Sequence, residues 1–208
     1  MNVDQQSNID SMVKAIAETL FSAWSYFHLL QGFHQGSKTH PVVVQKFDRL
    51  FDQVWRAVFD GLFAKAGNLI DRSKGTYSLP NLVTITRRYG GAELKRVTDE
   101  VEARLNNQNG PLVKIESWRH QVVAHRTPNG RDDIFYIDNK MNLDEIAAGL
   151  TQLELLLNTI SLEVLKVHND TETGTEDLVQ QGTALFACIA EHHALQTVSS
   201  TNSRQVAE

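Results

Sequence analysis

Pro41-Val-Val-Val-Gln-Lys-Phe-Asp-Arg-Leu-Phe-Asp-Gln-Val-Trp-Arg-Ala-Val-Phe-Asp-Gly-Leu-Phe-Ala-Lys-Ala-Gly-Asn-Leu-Ile70 is the stretch that decides the fold class of this chain. Phe47, Leu50, Phe51, Val54, Trp55, Val58, Leu62 and Phe63 recur at steps of three and four, the spacing that lines one face of an α-helix. Proline fits the first turn of a helix, so Pro41 marks the start, and the pattern runs to about Ile70 as one long helix. Upstream, Met12, Ile16, Leu20, Trp24, Phe27 and Leu30 repeat the same spacing. They predict an amphipathic helix over about 9 to 33, capped by Asn8 or Asp10 and ended near Gly32 and Gly36. The two form a helical hairpin.

Downstream the same reading gives shorter pieces. Ser78-Leu79-Pro80-Asn81 opens a helix that stops at Gly90-Gly91, and Leu94, Val97, Val101 and Leu105 mark the next. Asn106 to Pro111 is a turn, and a helix follows from about Leu112 to His125, ended by Thr127-Pro128 because proline disfavours helical geometry in the residue before it. Residues 127 to 141 contain Pro-Asn-Gly and then Ile-Phe-Tyr-Ile, which fits a small extended arm. Asn142 with Glu145 reads as a capping pair heading a helix to about Val167, and Thr175 as the cap of a last one to about Gln196. The expectation is an all-α bundle of about five to seven helices with a small extended arm after the helix that ends at His125. Its parts would be a disordered N-terminus over 1–8, a bundle over 9–168, an appended C-terminal helix over 175–197 and a disordered tail over 198–208.

Composition narrows the function classes. The 208 residues, 41% of them hydrophobic, suffice for one buried core. With a single cysteine, Cys188, no internal disulfide can form and no cysteine pair can hold a metal. No uninterrupted apolar run reaches membrane-spanning length and no secretory layout opens the chain, so a cytoplasmic protein is expected. The net charge of −5 excludes a protein that coats nucleic acid indiscriminately. Basic residues nonetheless gather locally: Arg72, Lys74, Arg87, Arg88, Lys95 and Arg96 accompany one acid, Glu93, and Lys114, Arg119, Arg126 and Arg131 follow. They are either a basic cleft or ordinary solvated faces.

The helix before Thr127 carries the chemistry. Arg119 and His125 bracket five residues, about 9 Å along a helix axis and about 120° apart in angle. Arginine matches a phosphate with a permanent planar charge, and histidine gives or takes a proton near neutral pH. Together they can cleave RNA without metal: His125 as base or acid on the ribose 2′-hydroxyl or the leaving oxygen, Arg119 binding the phosphate. His120 can orient the site or share the proton work, and Arg126, Lys114 and Arg131 can add phosphate contacts. The competing reading has Arg119 salt-bridged to Glu116 or to a neighbouring helix, and His125 capping carbonyls at a helix C-terminus. Other motifs carry less. Glu191-His192-His193 places adjacent histidines about 100° apart, unsuited to one ion, and His28, His34 and His40 straddle a glycine-containing turn. Cys188 reads as a small core residue, and Phe135 or Tyr136 on the arm as a base-stacking candidate.

The segment Trp118-Arg-His-Gln-Val-Val-Ala-His-Arg126 resembles the Arg-x4-6-His signature of the HEPN superfamily. Asp71-Arg72-Ser73 followed by Ser78-Leu79-Pro80-Asn81-Leu82 is similar to its abortive-infection AbiU-type branch, over about residues 10 to 168. The resemblance implies an all-α bundle that dimerises with its motif helices facing a shared cleft, and metal-independent RNA cleavage in phage defence or a toxin–antitoxin setting. Arg119 and His125 match the catalytic pair and His120 the polar position beside the arginine. RNA, a second copy of the chain and an antitoxin are the partners it implies, with no cofactor. Members controlled by a partner nucleotidyltransferase often carry tyrosine two residues after the motif histidine, where this chain has Thr127. Other superfamily members are inactive modules that bind RNA, a nucleotide or a protein, which is the second function reading.

Overall fold

The structure, a computed structural model, describes residues 1–120 and 141–205, with side chains for all of these except Glu93 and residues 193–205. Among the described residues there are eight helices and no strand: α1 (Val3–Thr39), α2 (Pro41–Lys46), α3 (Asp48–Leu69), α4 (Leu79–Tyr89), α5 (Ala92–Leu105), α6 (Pro111–Trp118), α7 (Leu143–Leu165) and α8 (Asp177–Gln205). The all-α class stands, while the count exceeds the five to seven expected. The extra helix arises at Phe47, where φ −115° and ψ 33° leave helical values and divide the 41–70 stretch into α2 and α3. No glycine or proline marks the break. The expected arm at 127–141 lies, apart from Met141, outside the described residues.

Helix α1 is the spine, packing against α3, α7 and α8. It begins earlier than its apolar repeat, because Asn2 and Gln5 form a reciprocal capping box at its N-terminus. It also passes through Gly32 and Gly36 instead of ending there. Both glycines face α8: a Cβ on Gly32 would lie 2.5 Å from the Val179 carbonyl oxygen, and one on Gly36 would lie 2.8 Å from Phe186 Cγ. They serve close helix approach and do not terminate the helix. Trp24, Phe27, Leu20 and Ile16 of α1 meet Leu62, Phe63 and Leu69 of α3 and Leu150, Leu153 and Leu157 of α7 in one buried core.

The helix expected as a C-terminal appendage contributes Phe186, 1% exposed, to that core, edge-on to Phe33 and stacked on Phe51. It runs on to Gln205 because no proline or glycine follows Gly182. Cys188, two positions from Phe186 and so on the opposite side of the helix, is exposed and is not a core residue. Residues 166–176 form a strap from α7 to α8. Asn158 brackets Asn169 by donating to its carbonyl and accepting from its N–H, and Glu154 accepts from the N–H and hydroxyl of Thr171. Thr175 does not cap α8 through its side chain. Its hydroxyl donates to the Glu172 carbonyl at 2.6 Å, which leaves its oxygen to accept from Nδ1 of buried His28 at 2.7 Å. The Asn142–Glu145 capping box heads α7 as the sequence predicts.

Candidate functional site

Helix α6 brings Arg119 to its place. Pro111 pre-sets the first turn after Gly110, and the helix is clamped on two sides. Trp118 stacks on Phe63 of α3 and meets the edge of Phe59, with ring centroids 5.5 and 5.0 Å away. Ile115 fits against Gly149 of α7, where a Cβ would come within 2.7 Å of Ile115 Cδ1. With both neighbours held, the next residue has little freedom. Arg119 keeps helical dihedrals (φ −57°, ψ −49°), and Arg119 and His120 carry the chain into a wider, π-type turn. Such turns recur at functional sites because they re-aim side chains from the helical register.

The Arg119 side chain, 18% exposed, lies across α3 and ends on an acid. Its stem passes directly over Gly67, where a Cβ would sit 2.7 Å from both Cβ and Cγ of Arg119. Its Nη2 donates to Asp71 Oδ2 at 2.7 Å. The other Asp71 oxygen accepts from the Ser73 N–H at 2.9 Å. The Ser73 backbone bond, followed by the Ser73 hydroxyl and Arg119, holds the Asp71 carboxyl below its ordinary pKa, against the opposing effect of burial. Asp71 is therefore an ionised carboxylate that fixes the guanidinium through one of its nitrogens and leaves the remaining N–H groups to bind elsewhere.

Of the other expected site residues, Lys114 faces away from Arg119. Its ammonium donates to Glu145 of α7 at 2.7 Å, and this bond is the chief cause of that carboxyl's lowered pKa. His120 is half-exposed, with Nε2 4.0 Å from Glu116 Oε1 one turn back. Arg119 is paired with an acid as the structural reading expects, but the acid is Asp71 and not Glu116. His125, Arg126, Arg131, Phe135 and Tyr136 lie outside the described residues. Of the basic cluster, Arg87 is bound by Asp99 and Glu102, and Arg72 donates to Asn106 Oδ1 at 2.6 Å. Among the described residues no three His, Cys, Asp or Glu side chains gather as metal ligands, and no helix is long and apolar enough to cross a membrane.

Asp71 and Gly67 are the residues that sequence reasoning missed at this site. A signal existed for the acid: Asp71 directly follows the C-terminus of α3, where the helix dipole disfavours negative charge, so a basic partner is called for.

These features define an all-α bundle whose sixth helix ends on an arginine anchored to the third. The family model HEPN_AbiU2, described as AbiU2, matches residues 6–183, and the chain belongs to that family. The match takes in the whole strap and the first part of α8, extending past the span of the resemblance read from sequence. No curated protein and no solved structure matches the chain.

Proposed function

We propose that this chain is a metal-independent endoribonuclease of the abortive-infection kind, acting from Arg119 and His125 in a cleft shared with a second copy in the cytoplasm. The observation that carries the reading is the anchored guanidinium: a partly exposed arginine, aimed by Asp71 over Gly67, in the segment that resembles the Arg-x4-6-His signature. A phosphate then meets a pre-placed charge and pays little ordering entropy. In the reaction, His125 takes the 2′-hydroxyl proton and the freed oxygen attacks phosphorus. The bond to the 5′-oxygen breaks, a protonated histidine returns a proton to that oxygen, and a 2′,3′-cyclic phosphate remains. Arg119 neutralises charge gathering on the non-bridging oxygens. His120 is close enough in sequence to assist, and Arg126 and Arg131 would contact flanking phosphates. An antitoxin that covers the cleft is the partner this chemistry calls for.

Purified protein incubated with total cellular RNA in EDTA tests the reading. Wild type cleaves, and Arg119→Ala and His125→Ala each slow cleavage by roughly 10²–10³-fold, the size typical of losing one transition-state contact. Intact RNA in every lane sinks it. That result favours a second reading, a non-catalytic module binding RNA, a nucleotide or a protein. One observation supports this alternative: the Arg119 charge is already matched by Asp71, as in a purely structural ion pair.

A further inference from the structure

The loop from Asp71 to Tyr77, ahead of α4, is built to hold a shape, although it buries little. Asp71 accepts the Ser73 N–H, and the Thr76 hydroxyl donates to the Ser73 carbonyl at 2.8 Å. The Asn81 amide reaches back from α4 to the carbonyls of Ser73 and Thr76, at 2.8 and 2.9 Å. Gly75 closes the turn with φ 80°, a conformation that favours glycine, and its surroundings are open. The braced segment lies on the surface: Arg72, Ser73, Lys74, Gly75 and Tyr77 are all exposed.

What the loop displays has a single character. From Arg72 to Ala92 the chain contains no acid, and Arg72 and Lys74 are both on the loop. Tyr77 is 60% exposed, and among the described residues the only other large exposed aromatic is Phe21, at 44% on α1. The carboxylate that begins this loop is the one that anchors Arg119. Tyr77 is six positions after Asp71, so their Cα atoms lie within about 22 Å even for a fully extended chain, and nearer in this braced one.

We infer that the Asp71–Tyr77 loop is a docking platform for single-stranded RNA beside Arg119, with Lys74 meeting a phosphate and Tyr77 stacking on an unpaired base. The inference rests on the RNA reading of Arg119 but not on cleavage. Cations interleaved with an exposed aromatic are what a flexible polyanion with open base faces requires, and a duplex offers no such face. A rigid platform also spares the ordering cost that a floppy loop would impose on binding.

The test is fluorescence anisotropy with a labelled mixed-sequence single-stranded RNA, in a His125→Ala background so that the probe survives. Tyr77→Ala weakens binding by roughly 5- to 100-fold, the range for losing one base–aromatic stack, and Tyr77→Trp restores it. Lys74→Ala lowers the slope of log Kd against log salt by about 0.7, the value for one phosphate contact on a single strand. Phe21→Ala leaves binding unchanged, and none of these exposed sites alters the melting temperature. Equal Kd for wild type, Tyr77→Ala and Lys74→Ala overturns the inference, as does an equal loss on duplex RNA or no RNA binding at all. Cleavage by wild type with no dependence on Tyr77 removes the platform and keeps the nuclease. Tyr77-dependent binding without cleavage does the reverse.

Discussion

Gly67→Ala probes the anchoring of Arg119 without touching either charge. The added Cβ would lie 2.7 Å from Arg119 Cβ and Cγ, and closer still to Cδ, whereas ordinary contact begins at 3.4 Å. A rotamer change frees the outer stem but not Arg119 Cβ, which is fixed to the backbone. The end of α6 must therefore retreat from α3 by at least about 0.7 Å, the difference between those two distances. That movement also loosens the Trp118 stack on Phe63. Overpacking of this kind costs about 1–3 kcal/mol, and replacing glycine by alanine inside a helix returns about 1 kcal/mol. A net loss of about 1 kcal/mol lowers Tm by roughly 2–4 °C in a domain of this size. Activity should suffer more, because a shift approaching 1 Å in a catalytic group costs on the order of 10²-fold. Gly61→Ala on the same helix is the control: its nearest neighbours are ring atoms of Tyr26, 2.8 Å away at the far end of a side chain that can swing. Calorimetry and a cleavage assay on both variants decide the matter. If Gly67→Ala matches Gly61→Ala in both Tm and rate, the account of how Arg119 is held is wrong.

The Asp71 carboxyl has a lowered pKa in the folded state, so its contribution to stability is complete above the unfolded value of about 3.9 and drains as pH falls through the folded value. In denaturant titrations from about pH 5 downward, wild type should therefore lose stability more steeply than Asp71→Asn; parallel slopes contradict this. Asn81→Ala should release the loop, seen as faster tryptic cleavage after Lys74 with the helices intact, and an unchanged rate removes Asn81 as the brace. Phe186→Ala should cost about 3–5 kcal/mol in chemical unfolding, as for a fully buried phenylalanine, and a loss below about 1 kcal/mol would mean that α8 is peripheral.

Helices were legible where apolar spacing was strict, as in the Phe47–Phe63 and Ile146–Ile160 repeats, although the first of these overstates its packed face: Leu50 is exposed. Helix ends were less so. Gly32 and Gly36 read as terminators, and only the neighbouring backbone of α8 shows that they make room instead. The break at Phe47 carries no local signal of either kind. The site divides in the same way. Arg119 stands out by residue type and spacing, whereas its partner lies 48 positions earlier, a separation across which spacing says nothing. Lys114 belonged to the basic cluster by sequence but not in space, since helical rotation sends it to Glu145 and Arg119 to Asp71.

The crossing of α1 with α8 ties together segments made at very different times. The Thr183 hydroxyl lies 3.3 Å from the Gly32 carbonyl oxygen across 151 residues of sequence. During synthesis the α1 surface around Phe33 and Gly36 must wait, uncovered, until α8 has been made and has left the ribosome. Closure over such a span is slow, and an oily helix left bare meanwhile invites clumping. Yield in a host should therefore rise with chaperone supply or slower, cooler growth.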